Sequence, residues 1–526
     1  MVLSLYNHFI LAKFSNVIKF CQFVNYSCII VLFVLQYAEL FLGGVQMAIL
    51  TNIKPENVFK YFEEICGIPH GSENMNAIAE YCVKFAESHS LKVIRDDADN
   101  VVIFKPASAG YENSKPVILQ GHLDMVCQKT EDCKIDFSKD GLDLFIDGDL
   151  IGARDTTLGA DNGIAIAMIL AILESDTLSH PEIQAVFTTD EEIGMIGAGK
   201  LDMNILSAKR MINLDAEEDD AVTVSCAGGS DFRTVIPFNR IKKSGTKVIV
   251  TLKGLQGGHS GVEIHKGRVN ADILAGRFLN HISDISDFDI ISINGGDKGN
   301  AIPNLCRIEL CVNNPHTFKK NSEMYLEILK KEIYEREKGF EAIIEIREED
   351  EFEVLHPEIR DKIIFILLCV PNGIIEMSAE IDGLVETSLN LGVLSTESDK
   401  ITLLFTLRSN KKSALGFLEE KLKTFFKVVP CEVYTSGHYP PWEFKENSEL
   451  QTLYKEVYES ICRVAPKVEA IHAGLECGVF ASAIKGLDCI AIGPALYDVH
   501  TINERLSISS AERIFNVLIS LLERCK

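Results

Sequence analysis

The sequence predicts an α/β protein of two domains, with a second domain of α+β texture inserted into the first. Three observations lead there. The chain has 526 residues, more than one ordinary core organises. Short apolar runs early in the chain alternate with 162–173 (NGIAIAMILAIL), a stretch apolar on every face that reads as a buried helix. Strands alternating with buried helices indicate a sheet covered on both sides. Finally, the texture changes after Gly228 and the α/β pattern resumes after Tyr439.

Residues 1–46 stand apart. Their only charges are Lys13, Lys19 and Glu39, and their longest apolar run, 28–35, is eight residues. About 20 are needed to span a bilayer. The run would suit a signal-peptide core, but no clear small-x-small cleavage site follows it. The expectation is a hydrophobic leader outside the fold; a membrane-associating segment and an export signal are the other readings. Ordinary sequence begins at Met47. Over 55–90 the spacing of Val58, Phe59, Phe62 and Ile65, then Ile78, Tyr81 and Phe85, predicts two amphipathic helices with a turn at 67–72. Strands are predicted at 100–104, 117–120, 183–188 and 211–214.

In the inserted part, strands are predicted at 247–252, 289–293, 305–312, 384–390, 401–408 and 431–435, with helices at 268–281, 323–337 and 414–426. The order suggests two related βαβ-type halves. A helix at 448–464, a strand at 489–492 and a closing helix at 509–522 complete the first domain. One domain interrupted by another leaves a cleft where ligands bind.

Composition narrows the function. Lys plus Arg number 52 against 76 Asp plus Glu, a net charge of −24 that would repel a phosphate backbone, so no nucleic-acid partner is expected. A surplus of carboxylates suits divalent metals. The 15 cysteines are odd in number and form no C-x-x-C pair, which argues against a disulfide scaffold and for a reducing, cytoplasmic setting. G-x-x-x-x-G-K-[ST], G-x-G-x-x-G, G-x-S-x-G and H-E-x-x-H are all missing.

The chemistry gathers at strand ends. VILQGHLDMV puts His122 and Asp124 two residues apart, on one face of a strand, where the acid can fix the imidazole ring. Alone, this pair is a weak signal and reads as structural. LGADNGIA puts Asp161 before the buried helix, where it reads either as a helix cap or as a ligand approached closely by small residues. AVFTTDEEIGMIG drives a buried strand into Asp190, Glu191 and Glu192. Three adjacent acids repel, so a bound cation or one acid with a raised pKa is expected. RMINLDAEE repeats the form with Asp215, Glu217 and Glu218, and CIAIGPALYDVHTINERL ends at His500. Each group follows the carboxyl end of a predicted strand, the edge where open α/β sheets bind ligands. Two histidines with three carboxylates and one acid left over suit a pair of divalent ions. Zinc is favoured, with manganese or cobalt possible. A hydroxide bridging such a pair would attack an amide or related bond.

At these residues the sequence resembles the co-catalytic zinc peptidase superfamily that includes aminoacylase, carboxypeptidase G and the carnosinases. From about Met47 to Lys526 it is most similar to the aminoacyl-histidine dipeptidases, or cytosolic non-specific dipeptidases. GHLDMVCQK, LGADNGIA, TTDEEIGMIGA, GGHSGVEIHKGRVNA, HAGLECGVF and IGPALYDVHTINERL match that family in order. The resemblance implies a two-domain di-zinc peptidase. Its α/β catalytic domain would comprise 47–227 and 437–526, interrupted by a lid and dimerisation domain over 228–436.

The resemblance also implies roles. His122, Asp161 and Asp215 would hold one metal, and Asp161 would bridge to a second held by Glu192 and His500. Glu191 would be the general base, Asp124 would orient His122, and the peptide bond after Asp161 would be cis. His259 would stabilise the oxyanion, reaching the site from the opposite subunit or by domain closure. Taken by itself, His259 is equally a turn histidine among glycines. Asn300 and Arg408 would hold the substrate carboxylate, while Gly474 and Glu476 would line the pocket for the free amine. The expected function is hydrolysis of unblocked dipeptides, X-His types such as carnosine included, by a cytoplasmic homodimer without membrane association. The alternatives are a related amidohydrolase or tripeptidase, a metal-free binding protein on the same fold, and, from residues 1–46 alone, a membrane-anchored receptor.

Overall fold

The structure, a computed structural model, describes residues 49–526, so the leader expected over 1–46 lies outside the described residues. Two sheets dominate. The first has eight strands in the spatial order Lys92–Arg95, Val101–Lys105, Ile183–Thr188, Val117–His122, Arg210–Asn213, Asp488–Ala491, Ala221–Cys226 and Lys467–Ile471. The middle neighbours, from Ile183–Thr188 to Asp488–Ala491, run parallel. Period-two alternation explains why these strands are apolar throughout. Val101, Ile103, Val117, Leu119, Ala185 and Phe187 face one core, while Val102, Ile118 and Val186 face another.

The helix Ala160–Glu174 lies in the first of those cores, buried at every position from Asn162 to Leu173, as its all-round apolarity predicts. Its carboxyl end is closed from outside the helix. Lys105, 9% exposed at the end of its strand, donates to the carbonyls of Ile172, Leu173 and Ser175. A buried ammonium is tolerable there because three carbonyls surround it, of which only that of Ile172 has a further backbone donor, Ser175 N at 3.3 Å.

The second sheet has nine strands and every pair is antiparallel. It resolves into two β-α-β-β-α-β units. One comprises Arg240–Lys253, the helix Ala271–Ser283, Asp289–Gly295, Cys306–Val312, the helix Pro315–Ile333 and Glu341–Leu355. The other comprises Gly228–Pro237, the helix Pro357–Cys369, Val385–Thr396, Lys400–Ser409, the helix Lys412–Phe426 and Glu432–Tyr439. In each unit the first strand lies between the third and the fourth, and the two units join into one sheet where Gly295 pairs with Leu394. The two related halves expected from the sequence are therefore present, but nested instead of consecutive, and of split form. All four helices bury an apolar stripe against this sheet, through Phe278, Leu329, Leu367 and Leu422 among others.

The chain passes from the first sheet to the second at Ala227 and returns after Tyr439. The two crossings pair with each other: Cys226 and Trp442 exchange N–H···O bonds of 3.0 and 3.1 Å. The prediction from this packing concerns Lys105. Lys105→Met keeps the apolar stem but removes the donor to the Leu173 and Ser175 carbonyls and one of the two donors to Ile172, and should cost about 2–3 kcal/mol, read as a lowered midpoint in denaturant unfolding. An unchanged midpoint would refute the capping role.

Candidate functional site

The parallel strands in the middle of the first sheet end side by side, and the polar groups follow them. His122 closes Val117–His122, Glu191 and Glu192 follow Ile183–Thr188, Asp215 follows Arg210–Asn213, and His500 lies beyond Asp488–Ala491. His122 is 1% exposed. Its Nε2 lies 3.1 Å from Asp161 Oδ1 and 3.3 Å from Asp215 Oδ1. Across the site, His500 Nε2 lies 3.0 Å from both Asp161 Oδ2 and Glu192 Oε1. The two oxygens of Asp161 thus face different histidines. Two sets of donors, His122–Asp161–Asp215 and Asp161–Glu192–His500, have ligand atoms within 4.8 Å of one another and share Asp161. Imidazole and carboxylate donors at such separations fit divalent ions. His122, Glu191 and Glu192 form a further set of the same kind.

Asp161 does not cap its helix through its side chain: the capping position is Gly159, in the left-handed region at φ 67°. Asp161 itself has ψ 100°, outside the helical range, and the Asp161–Asn162 peptide is cis. Asn162 then ties the neighbouring strand ends together, accepting from His122 N at 3.1 Å and donating to Leu214 O at 2.9 Å.

Asp124 is buried behind the histidine, with its carbonyl 3.0 Å and its Oδ1 3.5 Å from His122 Nδ1. The same carboxylate accepts from Ser72 Oγ at 2.9 Å, Glu191 N at 2.9 Å and Glu192 N at 3.2 Å. It therefore fixes the imidazole ring and the acidic turn together. That turn sorts its three acids. Asp190, at φ 52°, turns its carboxylate outward to accept from Glu73 N at 2.7 Å, while Glu191 and Glu192 face His122. Glu217 and Glu218 are exposed.

Charge crowding shapes the titration. Burial, reinforced by Asp215, Glu476 and Glu192, pushes the Glu191 carboxyl well above its usual range. Burial lifts Asp215 to about 6, with Asp161 and Glu192 adding to the shift. The histidines move oppositely. The bonds to Asp161 and Glu192 raise His500 to about 11, and the carboxylates around His122 raise it despite burial. Glu476, fully buried, accepts from Gln120 and from Thr188 Oγ1 at 2.6 Å, leaves Oε1 without a hydrogen bond, and is lifted to about 7 by burial.

The remaining predicted residues form a second, basic group. Arg408 is 6% exposed; its Nη1 donates to Tyr439 Oη at 2.8 Å and its Nε has no hydrogen-bond partner. His259 pairs with Ala301 in a two-residue strand, and its Nδ1 accepts from Gly261 N and Val262 N at 3.2 Å. Burial and then Arg408 depress its pKa to about 4, so its imidazole is neutral at pH 7. Asn300 is exposed and its carbonyl accepts from Ser260 N at 2.8 Å. A Cβ on Gly474 would come within 2.9 Å of the Tyr439 ring and 3.1 Å of Met195 Cε, so only glycine fits between the two groups.

Three residues here escape sequence reading. Tyr439 steadies Arg408. Buried His472 joins Ser388 Oγ at 2.7 Å and Asn410 Oδ1 at 3.1 Å. Glu504 accepts from four successive backbone N–H groups, 158 to 161. Only Glu504 had a visible signal, its place four residues beyond His500 in HTINERL.

Comparison with known proteins follows the same lines. The model of a family described as peptidase family M20/M25/M40 matches residues 118–524. The chain is 37% identical to the cytosol non-specific dipeptidase of Escherichia coli strain K12 over 481 residues, covering 91% of this chain and 99% of that one. The crystal structure of aminoacylhistidine dipeptidase from Vibrio alginolyticus matches with a TM-score of 0.83 at 37% identity, over 90% of this chain and 97% of that one. An aminopeptidase structure from Bacillus cereus shares the fold, with a TM-score of 0.53 at 14% identity, over 90% and 99% of the respective chains.

The raised histidines predict how a divalent ion enters. His500, raised to about 11, holds a proton at pH 7 in the ion-free chain and must lose it to ligate, and the carboxylates shift His122 in the same direction. Zinc binding should therefore release at least one proton and tighten as pH rises. Calorimetric titration in buffers of different ionisation enthalpy reads this directly; binding with no proton release would contradict it.

Proposed function

The chain belongs to peptidase family M20/M25/M40 and is a hydrolase of peptide bonds, and on that premise we propose that it is a metal-dependent dipeptidase of unblocked dipeptides, X-His types such as carnosine included. The observation that carries the reading is the convergence of His122, Asp161, Asp215, Glu192 and His500 on one sheet edge, with buried Glu191 beside them.

In this reading His122, Asp161 and Asp215 hold one divalent ion and Asp161, Glu192 and His500 a second; zinc suits these donors best, with manganese or cobalt as alternatives. Such ions supply Lewis acidity toward the scissile carbonyl and make water a better nucleophile. Glu191 takes the proton of the attacking water and passes it to the leaving amine. A carboxylate crowded by other acids holds a proton more strongly than one in water, which suits it to both transfers. Asp124 holds His122 in register. Glu476 and the gap at Gly474 receive the substrate ammonium, and the free Oε1 of Glu476 supports this. Arg408 and Asn300 receive the substrate carboxylate, which the unpartnered Nε of Arg408 supports. Neutral His259 donates to the developing oxyanion, either from the opposite subunit of a homodimer or after closure of the 228–436 lid onto the catalytic part, 47–227 with 437–526. Among the described residues no helix is long and apolar enough to cross a membrane; the cytosolic naming of the Escherichia coli relative supports a cytoplasmic location.

A panel of dipeptides, tripeptides and blocked peptides, assayed with chelator and metal replacement, tests the reading. Chelator-sensitive cleavage of free dipeptides alone is expected. Two metals bound without dipeptide cleavage would favour a related amidohydrolase or tripeptidase, and absence of both metal and cleavage a binding protein. Glu191→Gln should keep its metal and lose turnover by at least about 100-fold; a near-parental rate would remove Glu191 as the base. His259→Ala should lower kcat with metal content unchanged, whereas a loss confined to metal binding would contradict its oxyanion role.

A further inference from the structure

We infer that Glu504 is the positioning residue for the shared carboxylate, gripping the backbone of 158–161 so that Asp161 stays between the two histidines. The inference rests on the two-ion reading above. Glu504 is 2% exposed, and its carboxylate is saturated by backbone donors. Oε2 accepts from Leu158 N at 2.7 Å and Gly159 N at 3.0 Å, and Oε1 from Ala160 N at 2.8 Å and Asp161 N at 3.2 Å. Four donors on one buried carboxylate offset part of its desolvation, which together with nearby Asp161 still pushes the carboxyl above its usual range.

The backbone explains why these donors converge. Gly159 is left-handed at φ 67°, and Asp161 and Asn162 depart from helical angles. A regular first turn would aim its N–H groups along the helix axis. Here they turn inward onto a single point, and Glu504 occupies it.

The grip is two-sided. Glu504 N donates to Thr501 O at 3.1 Å, which closes the short loop that also carries His500. His500 faces Asp161 Oδ2 at 3.0 Å while Glu504, four residues on, holds the backbone of the same residue. One loop more than 300 residues distant thus sets both the side chain and the main chain of Asp161. Glu504 acts through Asp161 and donates no atom to either donor set.

Glu504→Gln is nearly isosteric but points an N–H₂ group at N–H donors, and Glu504→Asp withdraws the carboxylate by one methylene. Zinc titration against a competing chelator, together with Tm of the metal-free protein, separates positioning from general stability. The expected result is a metal-free Tm within a few degrees of the parent, zinc affinity weakened about 10- to 100-fold, and kcat recovered at saturating zinc. Parental zinc affinity in either folded variant overturns the inference. So does a fall in metal-free Tm with zinc affinity unchanged, or failure of both variants to fold, since the residue then serves the fold as a whole. A parental chain that binds no zinc at all would instead remove the two-ion reading itself.

Discussion

Buried negative charge is the constraint on which the rest of this structure depends. Asp161, Asp215 and Glu192 lie within hydrogen-bond reach of two imidazoles, and Glu191 and Glu476 add two more carboxyls to the same space. Like charges at these distances in a water-poor setting repel strongly, so the chain must either protonate some acids or hold them against a cation. Both responses are visible. Glu191 and Asp215 are pushed up toward the protonated form, while Asp161, bonded to both histidines, is held low. Such a cluster persists only on a rigid base. Adjacent parallel strands, cross-tied by Asn162 and by the Asn213–Gln120 bond of 2.6 Å, provide it.

The clamps around the cluster share one device: a buried carboxylate that collects backbone N–H groups instead of binding the ion. Asp124 does so for the Glu191–Glu192 turn and Glu504 for the Asp161 turn. Each spends a negative charge close to a site already rich in them. That is tolerable because main-chain donors stabilise the ionised form without adding a competing side-chain cation.

Much of the acidic site was legible because His122, Glu191, Glu192 and Asp215 each close or follow an apolar strand, and parallel strands deliver their carboxyl ends to one edge. Sorting Asp190 from Glu191 and Glu192 rested on the family resemblance and not on the residues themselves, since the left-handed backbone at Asp190 decides which acids turn inward. Tyr439 and His472 were silent, and Glu504 showed only its place near His500, for another reason: their partners are remote in the chain, and a lone acid or histidine beside a turn reads as solvated. In the second sheet, the long strand Glu341–Leu355 was missed because it lies at a sheet edge and carries charges on its exposed face, which hides the alternation. The helix Pro357–Cys369 was missed as well. The repeat was sensed but misplaced, because the first strand of one half, Gly228–Pro237, is separated from its own helix by the whole of the other half.

The segment from His472 to Glu476 links the two sheets. At one end His472 is bonded to Ser388 and Asn410 of the second sheet, in the basic group with Arg408. At the middle, Gly474 leaves room for the Tyr439 ring whose hydroxyl receives Arg408. At the other end Glu476 enters the first sheet through Gln120 and Thr188, beside the acidic cluster. Five residues therefore run from a site of surplus positive charge to one of surplus negative charge. A free dipeptide is a zwitterion with its charges at opposite ends, and a blocked or longer peptide cannot offer that pair at the same spacing. Because the Cys226–Trp442 pairing holds the two crossings side by side, the separation of the poles is a property of the fold and not of loop chance. On the function proposed above, selection by length would follow from electrostatics before any side-chain pocket is considered.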